Sequence, residues 1–566
     1  MKASVGDMGF DSTFRGDALP GAARLRWAGA CGGPGAGGRV RGIAVCGDSR
    51  GLAGTWKNPR RGAGPLQSSP AAAQKEECAL HVMQPTHGVG VAQHDCACGG
   101  NAGCFALRRP CPCHPVWVVD NERRGGVVRA DGASGGGARL RFVAVPVIAW
   151  YAATRVVLVA AMALAVVADL ADQGWPVTWP GVARDTWTAL NSWDAAWMRD
   201  IAERGYFGLD DVDGDPGHWR SLAFFPLMPF AMKALSAATA LSAAASGVII
   251  SVVAGAAFAA AAAALAGRMG LPRRSMILAS VLATTAPMAV VMLMPYTEAL
   301  FLALAAWGLV GVVDKRWGRA GLLFLLAGLT RSTALGLFIV LAVAVIAGDR
   351  RNPRAWAAVV VAPLGWAAYL LWSSAQLRDA GGYFGAQARG WNSEVDGGAA
   401  TLRWLWESLG ASRETGYAMS AVIIVAVAAT LAWAFVGWVL ARIGAARVRR
   451  AASVADSADA DPSTSTGSSI SVGSVSADRA RSFPDRWGAC WPVLLFSCLA
   501  VGQVLVSDGV MHSRPRLFLS GVLVLLVFAP VLGRMRRFDR FWILAAWILG
   551  SAWVGAYLLV PFPWAI

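Results

Sequence analysis

From residue 142 onward, apolar positions fall in long runs separated by short polar breaks. Runs of that length predict helices that cross a bilayer, because an alternating strand or a one-sided amphipathic helix would interrupt them every few positions. The first run covers about 142–170. Others follow at about 222–243, 245–267, 275–293, 296–313, 320–331, 332–347, 354–373, 416–442, 487–507, 515–533 and 541–561. Residues 172–220 form a long polar loop rich in acids and Trp, and residues 443–486 a Ser-, Ala- and Asp-rich linker that predicts a disordered cytoplasmic connection. The expected fold is an all-α polytopic membrane protein, with a core at 142–442 and C-terminal helices within 487–566.

Basic residues orient the helices, since Arg and Lys collect in cytoplasmic loops. Arg123, Arg124, Arg129, Arg139 and Arg141 precede the first run and place its N-terminus in the cytoplasm. Asp314-Lys315-Arg316, Gly348-Asp349-Arg350-Arg351, the linker opening with Arg442, Arg447, Arg449 and Arg450, and Arg534, Arg536 and Arg537 take the same side. Thr330-Arg331-Ser332 divides the apolar stretch between the first two of these loops, so two short helices with Arg331 at their apex are expected. The rule also puts Arg268, Arg273 and Arg274 in the cytoplasm, whereas two full spans within 222–267 would put them outside. Pro226 and Pro229 make the first of those segments a candidate re-entrant or interfacial helix, leaving about 11 transmembrane helices in a cell-membrane protein. The loop 172–220, residues 294–298, the Arg331 apex, the loop 374–415 and residues 507–516 then share the extracytoplasmic face.

Composition agrees: 56% of residues are hydrophobic and 15% charged, against about a quarter charged in soluble domains. A net charge of +16 raises nucleic acid as a partner, but the basic residues sit in short loops between apolar runs, so the bilayer is the expected partner and nucleic acid is not. Only five Lys stand among 51 basic residues, a bias that points to a GC-rich bacterial genome. Residues 1–141 differ from the rest. They hold eight of the ten Cys and no sustained periodicity, and read as a low-complexity, disordered extension or a start placed too far upstream, with no evident signal peptide. The cluster His94, Cys96, Cys98, Cys104, Cys111, Cys113 and His114 invites zinc, but its pairs are separated by one residue where structural zinc sites use two to four. No P-loop, dinucleotide glycine pattern, nucleophile elbow or HExxH stretch occurs.

The candidate chemistry lies on the extracytoplasmic side. Trp193, Trp197 and Ile201, four apart, would share one face of a short helix at the membrane surface, with Asp194 and Met198 beside it. A carboxylate held there suits proton abstraction from a hydroxyl near a lipid-borne substrate; a surface helix with solvated acids is the plainer alternative. Arg220, ahead of Pro226 and Pro229, suits a phosphate or merely snorkels. Glu298 and Arg331 sit in or beside apolar runs, where an ionisable group costs about 2.5–3.5 kcal/mol unless paired, so both are functional candidates with a mutual ion pair as the alternative. His512, Arg514 and Arg516 form a basic group suited to a phosphate or a lipid headgroup. The acids Asp211, Asp213 and Asp215 suit a divalent cation, although the twelfth position of a calcium loop is Leu222 rather than Glu; no other cofactor is expected.

At these residues the chain resembles a known family. Trp193-Asp194 with Ile201-Ala202 and Gly205-Tyr206, then Ala223-Phe224-Phe225-Pro226-Leu227-Met228-Pro229, Pro295-Tyr296-Thr297-Glu298-Ala299-Leu300-Phe301 and Leu329-Thr330-Arg331-Ser332, looks in content and order like the PIG-V-type mannosyltransferases. The resemblance covers about 143–561, outside the 443–486 insertion. It implies a GT-C-like fold with a long first extracytoplasmic loop. It also implies mannosyl transfer, with inversion, from a polyprenyl-phosphate-mannose donor to a glycolipid or glycan acceptor. Asp194 would match the acid used as catalytic base, Arg331 with Arg514 or Arg516 would hold the departing phosphate, and Trp193, Trp197 and Tyr206 would shape the sugar and lipid surfaces. Arg199, Asp200, Arg220, Tyr296, Glu298 and His512 complete the expected substrate-binding set. Met198 and Met228 depart from the pattern, standing where Tyr is expected, and a bacterial member would not build a GPI anchor. A secondary transporter or a non-catalytic scaffold are the competing readings; the first predicts an internal repeat and a midplane site, and no repeat is visible.

Overall fold

Each apolar run becomes helix until a proline, a left-handed residue or a polar cap stops it. In the computed structural model, which describes residues 135–458 and 491–564 apart from Asp213 and residues 411–413, the first run is α1 (Gly135–Asp172). The polar loop after it is also helical. α2 (Trp179–Leu190) starts at Thr178, whose hydroxyl accepts from the Gly181 N–H; α3 (Asp194–Arg204) stops at Gly205, where φ is 75°; α4 (Gly217–Ser221) is little more than one turn. Then come α5 (Leu227–Thr239), α6 (Ala243–Arg268), α7 (Arg273–Thr284), α8 (Thr297–Val313), α9 (Trp317–Gly328), α10 (Leu335–Gly348), α11 (Pro353–Val361) and α12 (Leu364–Gln376). The loop after α12 carries α13 (Gly382–Trp391) and α14 (Ala399–Gly410). α15 (Thr415–Ala458), α16 (Trp491–Leu505), a largely 3-10 segment at 511–534 and α17 (Arg537–Leu559) complete the chain. The described residues contain no strand, only the bridges Val212–Asp215 and Val395–Ser507.

Among the described residues, six helices are long and apolar enough to cross a membrane: 143–172, 243–268, 353–376, 415–444, 511–534 and 537–559. Four further apolar helices are shorter. The polar elements follow the sequence expectations in part. Arg331 does stand between two short helices, α9 and α10. The expected linker differs: α15 runs past residue 442 to Ala458, so the start of the 443–486 stretch is helical, and residues 459–490 lie outside the described residues. The N-terminal extension up to residue 134, with its Cys/His cluster, lies outside them too.

The helix expected through 275–293 also breaks. α7 ends at Thr284, ahead of Pro287, and the chain crosses the core as irregular backbone with a 3-10 turn at Ala289–Met292 before α8 begins. Proline removes a donor and clashes with the preceding turn, which ends the helix; the freed polar groups then need partners. They find them. Arg155 on α1 donates to the carbonyls of Thr284 and Ala289, Ser251 donates to the Met294 carbonyl, and Trp547 Nε1 donates to Thr285 Oγ1. Small residues let the flanking helices close in: Gly255 lies under the Tyr151 hydroxyl, and a Cβ on Gly308 would sit 2.3 Å from the Phe324 ring.

The ends of the bundle separate by chemistry. Arg268 at the end of α6 grips both carboxylate oxygens of Asp314 at the end of α8 at 2.7 Å, and Lys315 donates to the Gly348 carbonyl at the end of α10. Ser275 lies beside Gly533, so the Arg534–Arg537 turn joins the same basic end. Glu298 is at the other end of α8, about 25 Å away at 1.5 Å per residue. Because α6 descends to the basic end, its start lies at the Glu298 end, together with the turn from α5. α5 itself begins there, with Leu227 N–H bonded to the Leu329 carbonyl. It is thus a 13-residue dip that does not traverse the bundle, which reconciles Arg268 with the other basic loops.

Two outcomes follow. In a Cys-free background, cysteines introduced at Gln173 and Lys315 should label with a membrane-impermeant maleimide from opposite sides of the membrane; labelling from one side would break the two-ended arrangement. Gly308→Val should destabilise the α8–α9 contact by about 1–3 kcal/mol, seen as a lowered Tm in detergent.

Candidate active site

Asp194 opens α3 directly after Trp193, whose backbone sits at φ 58° and ψ −125°. Few non-glycine residues tolerate that region, and holding one there costs about 1–3 kcal/mol. The strained residue aims the next side chain inward. Asp194 Oδ2 lies 2.8 Å from Arg516 Nη1, and the Arg516 Nε lies 3.7 Å from Glu298 Oε1. The same Glu298 oxygen is 2.8 Å from Arg331 Nη1. Four residues from four distant stretches thus form a line of alternating charge, Asp194, Arg516, Glu298 and Arg331, with no net charge. Glu298 occupies the first turn of α8, where the helix dipole favours an anion.

The surroundings hold the line in place. Tyr296 lies beneath Arg516, with 5.0 Å from the guanidinium carbon to the ring centre, and its hydroxyl approaches the Ser192 carbonyl at 3.5 Å. The Phe301 ring lies 5.9 Å from Arg331. Side-chain exposure separates the roles: Glu298 is 4% exposed, Arg516 10% and Arg331 13%, whereas Asp194 is 27%. Asp194 is the open member. Burial pushes its carboxyl above the usual carboxylate range; Arg516 pulls it back, Glu298 adds to the rise and Arg331 opposes it. The Nη1 atoms of Arg331 and Arg516 each face a carboxylate oxygen at 2.8 Å, whereas the buried Nε of each makes no well-aligned hydrogen bond among the described residues.

One turn along α3 from Asp194 an aromatic cluster begins. Trp197 stacks on Phe224 at 6.0 Å, and Phe224 meets Trp391 edge-on at 5.6 Å. Beyond it Arg389 lies over the Trp219 ring and 3.5 Å from Asp215. The loop 374–415 closes this side: Gln387 and Tyr383 donate to the Ala223 carbonyl, and residues 394–397 pair with 506–508.

Several expected site residues are placed elsewhere. The buried face of α3 is Ala195, Met198, Ile201 and Ala202, so the helix packs into protein by Met198 rather than resting on a bilayer through Trp193 and Trp197. Arg199 pairs with Asp200 at 2.8 Å on the side of α3 away from Asp194. Tyr206 is buried with its hydroxyl on the Phe224 carbonyl, and Tyr296 is 1% exposed, so both support the site rather than face a substrate. Arg220 stands half-buried on α4. Arg514 and Arg516 do not act together: two residues apart on a helical turn, they point to opposite sides. Arg514 is bound by Thr401 Oγ1 and the Ser507 carbonyl, while His512 packs among Tyr417, Phe562 and Trp564. Asp211 accepts from the Gly217 N–H and Asp215 faces Arg389; Asp213 lies outside the described residues, and no group of three metal-binding side chains occurs among those described.

Two contributors were missed in the sequence. Trp391 ends α13, in a stretch whose sequence carries no marked pattern. Arg155, a lone cation inside the first apolar run, carried the same signal that singled out Glu298 and Arg331. Comparison of the chain with protein-family models, with curated proteins and with solved structures returns no match.

Breaking a buried pair strands a charge, so Glu298→Gln and Arg331→Gln should each destabilise by about 3–5 kcal/mol. The double variant Glu298→Leu/Arg331→Met should lose less than the sum of its single variants, measured by thermal unfolding in detergent micelles; strictly additive losses would show that the pair is not coupled.

Proposed function

We propose that this chain is a membrane-embedded glycosyltransferase of the PIG-V-like, GT-C kind, moving mannose from a polyprenyl-phosphate donor to a glycolipid or glycan acceptor outside the cytoplasm. The observation that carries the reading is the convergence of Asp194 with Arg516 and Arg331 in one site at the end of the bundle opposite the basic loops. Its active face would then be extracytoplasmic, since basic loops stay in the cytoplasm.

The parts suit that chemistry. Asp194, partly open and with a raised proton affinity, takes the proton from the acceptor hydroxyl as its oxygen attacks the anomeric carbon. The bond from that carbon to the phosphate oxygen breaks on the opposite face, inverting the centre. Negative charge grows on the departing polyprenyl phosphate, and Arg516 and Arg331, held in place by their carboxylate partners, supply fixed positive charge for it in a water-poor setting. Arg514 drops out of the phosphate role, because Thr401 and Ser507 hold it. Trp197, Phe224 and Trp391 offer the apolar faces on which a sugar ring stacks.

Asp194→Asn should lower transfer from polyprenyl-phosphate-mannose to total membrane acceptors by about 10²–10⁴-fold while leaving membrane insertion intact; retained transfer would sink the assignment. The base must be ionised, so activity should rise with pH through the raised Asp194 pKa. Arg516 opposes that rise, so Arg516→Gln should move the acid limb of kcat/KM to higher pH besides lowering kcat. An unmoved acid limb would separate Arg516 from the base.

A further inference from the structure

A cavity of about 790 Å³ opens between α5, α6, α8 and α9, and none of the charged line borders it. Its walls are apolar, with Ile249, Val253, Ala257, Leu304 and Leu322 among them, and Trp307 forms its floor with the indole N–H donated to the Ala257 carbonyl. Along α6 it runs from 249 to 257, about 12 Å at 1.5 Å per residue. Ile249, Val253 and Leu322 are strongly exposed on a bundle whose α6 is long and apolar enough to cross a membrane, so the groove opens toward lipid.

One charged residue lines it. Arg319 stands toward the basic end, its guanidinium 4.9 Å from the Trp307 ring centre, and it forms no ion pair among the described residues. It belongs to the first turn of α9, a turn with no acid, behind an N-cap residue, Arg316, that makes no side-chain cap bond. A cation at a helix N-terminus is electrostatically misplaced, and an anion there would satisfy both the dipole and the guanidinium. Gly318, next to it, leaves open space where a side chain would stand.

We infer that this groove is a binding site for an anionic phospholipid of the cytoplasmic leaflet, with an acyl chain along α6 and α8 and the headgroup phosphate on Arg319. Charge complementarity selects the occupant: the groove supplies apolar length and one unpaired cation at the basic end, which suits one phosphate attached to a hydrocarbon chain. The inference does not depend on the transferase reading.

Native mass spectrometry of the full chain, with phosphatidylglycerol and phosphatidylcholine offered in equal amounts, tests it. The expected result is preferential retention of one phosphatidylglycerol, a preference reduced about fivefold by Arg319→Gln and kept by Arg319→Lys. Ala257→Phe, which fills the groove, should abolish retention while the protein stays monodisperse. Equal retention of the two lipids, or a preference that survives Arg319→Gln, would overturn the assignment, as would displacement of the bound lipid by a polyprenyl phosphate at matched concentration.

Discussion

The structure turns on a buried charge balance. Two carboxylates and two guanidinium groups alternate in a space that a bilayer-embedded protein shields from water; Glu298 faces both arginines, and Asp194 completes the pairing of Arg516. Four parts of the chain must meet for that balance: the start of α3, the start of α8, the apex between α9 and α10, and the 511–534 segment. The irregular backbone before α8 exists in the same context, since it delivers Tyr296 and Glu298 to the site. Its own polar groups are satisfied from outside, chiefly by Arg155.

Much of this was legible in the sequence. Ionisable residues in apolar surroundings are costly, and that cost alone marked Glu298 and Arg331. Helix existence followed from run length, and the basic loops gave the two ends. What the runs did not carry was continuity. Proline at 287 and the breaks around Pro226 and Pro363 turned apparent spans into bent or shortened helices, because hydropathy averages over a residue that removes a donor.

The errors at the site had a common origin. Proximity in sequence stood in for proximity in space. Sequence proximity groups Arg514 with Arg516, but helical geometry sends them to opposite sides, and only Arg516 reaches Asp194. The Trp spacing points to one face of α3, whereas burial follows Met198, since the neighbouring α5 offers an apolar surface there. Trp391 illustrates the reverse limit: a residue on α13 meets Phe224 only through the tertiary fold.

Met198 and Met228, thirty residues apart in sequence, occupy the same small apolar cluster with Ala202, Met232 and Ala243. Each is almost wholly buried. A tyrosine at either position alone would bring a hydroxyl into a space lined by thioethers and methyl groups. The two positions are therefore coupled through one cluster, and the effect of a substitution at either depends on the residue standing at the other.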